Sequence, residues 1–430
     1  MRRFTTTDPD FATTFAAFLN RHDEAAPDLA KTVAAIVRRV QTEGDAALFD
    51  LTTRFDHFTP TTLRLSAEMI QSTAAACPAP VRAALQLAAE RITAFHALQQ
   101  PAAIHHTDAL GVRMGMLWRP VDAVGLYVPG GRASYPSSVL MNALPAKVAG
   151  VPRIALTVPM PRGVLNPAVL AAAELAGVTE VYGIGGAQAV AALAYGTESI
   201  PKVDKIVGPG NAFVAEAKRQ VFGQVGIDAI AGPSEILVLA DNAANPAWVA
   251  WDLLSQAEHD PMAQAILITD SPTLAEQVAH AAADALLQLS DVARASWEQH
   301  GAIIVVRDLP GEGVALANRI AAEHLELIVA DPAPYLAAIR HAGSVFIGPY
   351  TPEAIGDYLG GPNHVLPTSG TARFASGLSV YDFLKRTTYL ECTPAAFAAI
   401  GPAAATLADA EGLPAHAGSV RIRTDSAPRT

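Results

Sequence analysis

Residues 245–270, NPAWVAWDLLSQAEHDPMAQAILITD, decide the fold. Pro246 suits a first helical turn, where its missing N–H leaves nothing unpaired. The apolar spacing from Val249 onward predicts a helix that Pro261 ends. AILIT is then a short, continuous apolar run, the pattern of a strand covered on both faces. Gln256 and His259, three residues apart, share a helical face with Cβ atoms about 5–6 Å apart if the helix persists to Asp260. A polar helix end before a buried strand is either simple solvation or a pair of side chains reaching for a ligand.

The same unit recurs along the chain. VDAVGLYV, RIALTV, EVYGI and KIVG form one series of strand-like runs, and EILVLA, AILIT, AIIVV, LELIVA and SVFIG a second. Ala/Leu-rich helical segments separate them, several opening with proline, as in NPAVLAAAELAG and SPTLAEQVAHAAADALLQLS. Buried strands joined by helices mean parallel sheets. The fold class expected is therefore α/β: two parallel-sheet, incomplete Rossmann-like domains with helical N-terminal and C-terminal arms. The expected divisions are 1–118 (helical, partly packing on the second α/β unit), 119–234, 235–375 and 376–430.

Composition narrows the function. The 430 residues are 51% hydrophobic and 17% charged, with a formal charge of −11, which argues against nucleic acid or anionic lipid as a general partner. No apolar run is long enough to span a bilayer, and MRRFTTTDPD has no apolar stretch after its arginines, so a cytoplasmic protein without an export signal is expected. The two cysteines, Cys77 and Cys392, have neither metal spacing nor a nearby histidine in sequence to activate them.

Three glycine loops, in GLYVPGGR, GIGGAQAV and GPGNAF, lie between strands and helices, where backbone can approach phosphate closely. None has the G-x-G-x-x-G fingerprint, and no acidic residue stands about 20 residues further on at a strand end. Four polar clusters compete with ordinary helix-end solvation: Gln256/His259; Glu323/His324 in AEHLEL; Asp357/His364 in IGDYLGGPNHVLPTSG; and Glu411/His416 in EGLPAHAGS. The first two follow helices and precede strands, which puts them at the edge where parallel strands begin. Asp357 can return to that edge after a strand and a short helix. Imidazole, carboxylate and amide oxygen together make a mixed N/O set suited to zinc, with manganese or cobalt as alternatives. Glu323 and His324 remain for acid–base work.

These segments, together with DKIVGPGNAFVAEAKR, AGPSEILV and GDYLGGPNHVLPTSGTARFASGLSVYDFLKR, resemble the signature segments of the histidinol dehydrogenase family, in order from about residue 110 to the C-terminus. The resemblance implies NAD- and zinc-dependent oxidation of L-histidinol through L-histidinaldehyde to L-histidine, the last step of histidine biosynthesis, in a homodimer. It implies Gln256, His259, Asp357 and His416 as zinc ligands, His416 coming from the other subunit. Tyr127, Gln188 and Asn211 match NAD contacts. Glu323 and His324 match the catalytic residues. Ser234, Gln256, His259, His324, Asp357, His364, Glu411 and His416 match substrate contacts. A related dehydrogenase acting on another small alcohol, such as a sulfonated diol, is the alternative, and a non-catalytic zinc-binding protein a more distant one.

Overall fold

The computed structural model describes residues 1–19, 27–130 and 135–425. The chain divides into two compact units, one formed by Met1–Gln99 and Asp122–Phe383, the other by Gln100–Val121 and Leu384–Thr430.

The larger unit contains both parallel sheets. The five-stranded sheet has the order β6 (Glu180–Tyr182), β5 (Arg153–Thr157), β4 (Ala123–Tyr127), β7 (Lys205–Val207) and β8 (Gly226–Ile227). The six-stranded sheet has the order β1 (Arg2–Thr5), β11 (Ala302–Val305), β10 (Gln264–Thr269), β9 (Glu235–Ala240), β12 (His324–Ile328) and β13 (Ser344–Ile347). Counted from its own first interior strand, each sheet runs third, second, first, fourth, fifth, the doubly wound dinucleotide-fold order without its sixth strand. Both directions and the α/β class agree with the sequence reading.

Continuous apolar strands form here because both faces are covered. Ile236 and Val238 of β9 pack with Val249, Leu253 and Leu254 of the Pro246–Ala257 helix. Leu237 and Leu239 point the other way, to a core that includes Phe15 and Phe18 of the Phe11–Leu19 helix. Each such fully buried side chain contributes about 1.5–3 kcal/mol relative to exposure. The Pro246–Ala257 helix starts where Asn245 accepts the N–H groups of Ala247 and Trp248 (2.9 and 3.3 Å), an N-cap that leaves Pro246 at the first turn.

The N-terminal region is helical from Phe11–Leu19 to Ala79–Ala97, but three strands depart from the helical reading of residues 1–118. β1 adds in parallel to β11, with Arg2 opposite Ala302. Its sequence RRFT carries one apolar residue, so the neighbouring strand, rather than periodicity, makes it a strand. In the smaller unit β2 (Ile104–Thr107) and β3 (Arg113–Pro120) join β14 (Leu384–Glu391) in an antiparallel sheet of order β14-β3-β2. β14 likewise interrupts the expected helical C-terminal arm, whose helices are Pro394–Ala410 and Pro414–Asp425. Among the described residues no helix is long and apolar enough to cross a membrane.

Candidate active site

Glu235, Gln264, His324 and Ser344 all open strands of the six-stranded sheet, with Gln264 paired to Glu235 and His324 to Ile236 and Ser344. His324 and Glu326 lie two apart on β12 and so share a face; both are buried. The Pro246–Ala257 helix brings Gln256, also buried, to that edge, with His259 exposed just past its end. The Glu353–Tyr358 helix brings buried Glu353 and partly buried Asp357, four apart on one face. Asp357 thus lies within the short helix rather than after it.

The His324 ring is fixed by its backbone partner. Nδ1 lies 3.0 Å from Glu235 O, so Nδ1 carries the hydrogen and donates it, leaving a lone pair on Nε2. That nitrogen is buried and has no hydrogen-bond partner, while Asp357 Oδ1 stands 3.8 Å away. Burial is the main cause that lowers the His324 pKa to about 4, against the opposing pull of Asp357. The ring is neutral at physiological pH, as a base or a metal-facing group must be.

Glu323 Oε2 accepts the Glu235 N–H (3.0 Å) and lies 3.7 Å from His324 Nδ1. Its burial raises its pKa well above the usual carboxylate value. His364 Nδ1 donates to Asp357 O (2.9 Å), and its Nε2 lies 3.4 Å from Ser138 Oγ. Burial lowers its pKa as well. Ser234, partly buried, precedes β9 and its carbonyl accepts the Gln264 N–H (2.9 Å).

The donor set suits a divalent metal. One ligand atom from each of His324, Glu353 and Asp357 lies within 4.8 Å of the others. One terminal atom of the Gln256 amide lies 2.9 and 3.2 Å from the two Glu353 oxygens and 3.0 Å from His324 Nδ1. The other terminal atom lies 3.3 Å from His259 Nδ1, so an amide and an imidazole stand side by side. An orphaned imidazole nitrogen, a carboxylate and this amide–imidazole pair are the groups a hard-to-borderline cation takes.

Tyr127, Gln188 and Asn211 lie at the opposite edge of the five-stranded sheet, beyond the carboxyl ends of its strands. Tyr127 ends β4; its buried hydroxyl accepts the Gly186 N–H (3.1 Å), and burial pushes its pKa up to about 12. Gln188 is buried in the Gly186–Tyr195 helix. Asn211 caps the Ala212–Val221 helix by accepting from Phe213 and Val214, leaving its amide NH2 available. Between β4 and β7, where the strand order reverses, Gly208 has φ +116°, and a Cβ there would sit 2.1 Å from Tyr127 O. The close backbone approach that only glycine allows here lies at the switch point of the strand order, the place where α/β folds of this kind take dinucleotides. Part of the first glycine loop, Gly131 and Arg132, lies outside the described residues.

The larger unit therefore brings together Gln256, His259, Glu323, His324, Asp357 and His364. Glu411 and His416 belong to the smaller unit and are exposed. Three buried carboxyls were not anticipated, Glu235, Glu326 and Glu353, nor was the partly buried Asp252 one turn before Gln256. Their signals were present as carboxylates inside apolar strands (SEIL, HLEL) and a Glu–Asp pair four apart in PEAIGD.

Two such sheets, with acid–base groups on one edge and a glycine-bounded crevice on the other, place the chain among α/β enzymes acting on small polar substrates. The histidinol dehydrogenase family model matches residues 19–424, and the chain belongs to that family. It is similar to "Histidinol dehydrogenase 1" of Trichormus variabilis, at 63% identity over 420 residues and 97% of each chain. The histidinol dehydrogenase of Rhodospirillum rubrum is 59% identical over 425 residues, 98% of each. The crystal structure of histidinol dehydrogenase from Elizabethkingia anophelis shares the fold with a TM-score of 0.94 at 37% identity, across 99% of this chain and 98% of that one.

Proposed function

We propose that this protein oxidises L-histidinol through L-histidinaldehyde to L-histidine, the last step of histidine biosynthesis, consuming two NAD per turnover, as a cytoplasmic homodimer. The observation that carries the reading is the His324 ring: neutral, oriented by Glu235 O, and offering an unpartnered Nε2 beside the Asp357 and Gln256/His259 donors.

Gln256 Oε1, His259 and Asp357 would hold one zinc ion with the partner subunit's His416, whose exposure in the smaller unit suits donation to a second copy. Bound there, zinc would supply a Lewis-acid anchor for the imidazole and amino nitrogens of the substrate. NAD, lying against Tyr127, Gln188 and Asn211, would supply the hydride acceptor.

The chain's own residues move the protons. His324 Nε2 takes the hydroxyl proton as hydride leaves the carbinol carbon. In the second oxidation Glu323, in its ionised form, takes a proton from the water that adds to the aldehyde. A carboxylate whose pKa is raised by burial is a stronger base than an ordinary one. Ser234, His364 and Glu411 orient the substrate, and orientation against the nicotinamide is itself a large share of the rate.

Counting product tests the reading. Each histidinol should yield about two NADH with zinc present, because alcohol to acid is a four-electron change. Exhaustive chelation should stop turnover and zinc restore it; full turnover without metal, or NADH formation only with a sulfonated diol, would overturn the assignment.

A further inference from the structure

Behind the crevice of the five-stranded sheet lies a buried ion pair that the proposed reaction does not use. Lys218 Nζ meets Asp228 Oδ1, and the two side chains are only 3% and 5% exposed. Lys218 lies in the Ala212–Val221 helix. Asp228 directly follows β8, its own N–H donating to Ile206 O of β7 at 3.2 Å. A buried ion pair stabilises a fold no better than apolar side chains of the same volume, and often less well. Its use here lies in what it holds.

Between them the two side chains hold both polar groups of the Gly208 backbone. Its N–H donates to Asp228 Oδ2 at 2.7 Å, and its carbonyl accepts from Lys218 Nζ at 3.0 Å. Asp228 Oδ1 also accepts the Ala229 N–H at 2.7 Å, which fixes the carboxylate. The peptide after Gly208 leads into Pro209, which has no N–H. The carbonyl is therefore that peptide's only hydrogen-bonding group, and its partner decides which way the peptide faces. Drawn to a buried ammonium, the oxygen is kept from turning its negative end towards the phosphates of a dinucleotide. The helix that carries Lys218 also carries Asn211 as its N-cap, two turns earlier. The pair thus sets where Asn211 stands relative to Tyr127 at the end of β4.

We propose that Lys218 and Asp228 are positioning residues for the dinucleotide: they lock the Gly208 peptide from behind and so place Asn211 and the first turn of the Ala212–Val221 helix against the crevice. The inference rests on the NAD reading given above and extends it to a buried pair that acts through the loop rather than on the cofactor.

The test is steady-state kinetics of the full-length protein, with NAD varied at saturating histidinol and zinc and then histidinol varied, beside the melting temperature of each variant. Lys218→Met should raise KM for NAD roughly 10-fold, the scale of one lost hydrogen bond to a charged group. Its kcat and KM for histidinol should stay near wild type. Lys218→Met/Asp228→Asn leaves no unpaired buried charge, so it answers for a single variant that fails to fold. It still lacks the Lys218 ammonium that Gly208 O accepts from, and should show the same rise. Leu170→Ala opens a cavity in the Pro167–Ala176 helix, where Leu170 is buried; it should lower the melting temperature and leave KM for NAD alone. Wild-type KM for NAD in the double variant overturns the proposal. So does an equal rise in Leu170→Ala, which would reduce the pair to ordinary stability. Asn211→Ala tests the reading beneath: an unchanged KM for NAD there would mean that the dinucleotide lies elsewhere, and the proposal would fall with the site.

Discussion

In the five-stranded sheet the residues of interest follow strands: Tyr127 ends β4, and Gly208 to Asn211 follow β7. In the six-stranded sheet they precede strands: His259 comes before β10, and Glu323 before the His324 that opens β12. Strand order is the same in both, so topology alone does not choose the edge. The corresponding crevice of the six-stranded sheet, between the carboxyl ends of β9 and β12, is closed by Asp241. Its carboxylate accepts the Ala330 N–H (2.7 Å) and its own N–H donates to Ile328 O (3.3 Å). Where the first sheet keeps a glycine against Tyr127 O, the second ties its strands together. What remains open in the second sheet is the beginning edge, where helices end and deliver side chains rather than backbone N–H groups. On the function proposed above, one edge would take the dinucleotide and the other the acid–base and metal chemistry.

If the edges divide the work in this way, removing the base at the second edge should have the largest effect. His324→Ala should lower kcat for both oxidations by roughly 1,000-fold while leaving NAD binding intact, a general base being worth about 10²–10⁴. Loss of NAD affinity in that variant would break the division. Glu323→Gln is next. It retains an oxygen to accept the Glu235 N–H, and should slow aldehyde oxidation about 100-fold and alcohol oxidation less than about 10-fold. Supplying histidinol and histidinaldehyde separately measures the two.

Much of this was legible before the fold was seen. Both parallel series were, since a strand buried on two faces writes itself as a continuous apolar run, as in EILVLA. The beginning edge was legible too, because a polar group between helix and strand has only one edge to go to. RRFT and IHHT were not readable as strands, because pairing rather than burial makes them so. Glu353 and Glu326 escaped for a different reason. A carboxylate in PEAIGD or HLEL looks solvated unless the side chains it meets, from segments about 30 to 100 residues away in sequence, are already known. Tertiary contact supplies that information and local pattern does not.

A smaller effect concerns the floor of the beginning edge. Glu235 opens β9, whereas apolar Ala123 opens β4 in the other sheet. Burial raises the Glu235 pKa to about 7, against 4.5 for an ordinary glutamate. The folded state thus binds its proton more tightly than the unfolded chain. The stabilisation is complete below the unfolded value and is lost as pH rises toward and through 7, in total about 3 kcal/mol. Glu235→Gln keeps an acceptor for the Ser369 N–H and removes the titration. The melting-temperature gap between variant and wild type should therefore shift in favour of the variant from pH 4 to pH 8. Parallel curves would show that the carboxyl is hydrated.

The mildest substitution separates the two edges most cleanly. The Tyr127 hydroxyl reaches across from β4 to accept the Gly186 N–H at 3.1 Å, holding the start of the Gly186–Tyr195 helix, two residues before Gln188, against the crevice. Phenylalanine fills the same buried space and leaves that N–H without its partner, a loss of about 1 kcal/mol. Spread over loop position and dinucleotide contact, this should raise KM for NAD by about 3- to 10-fold, with kcat near wild type. Nothing at the beginning edge of the other sheet depends on this hydroxyl, so KM for histidinol and zinc affinity should stay put. A parallel rise in KM for histidinol would mean that the glycine loops shape the substrate pocket as well, and that the two edges act as one site.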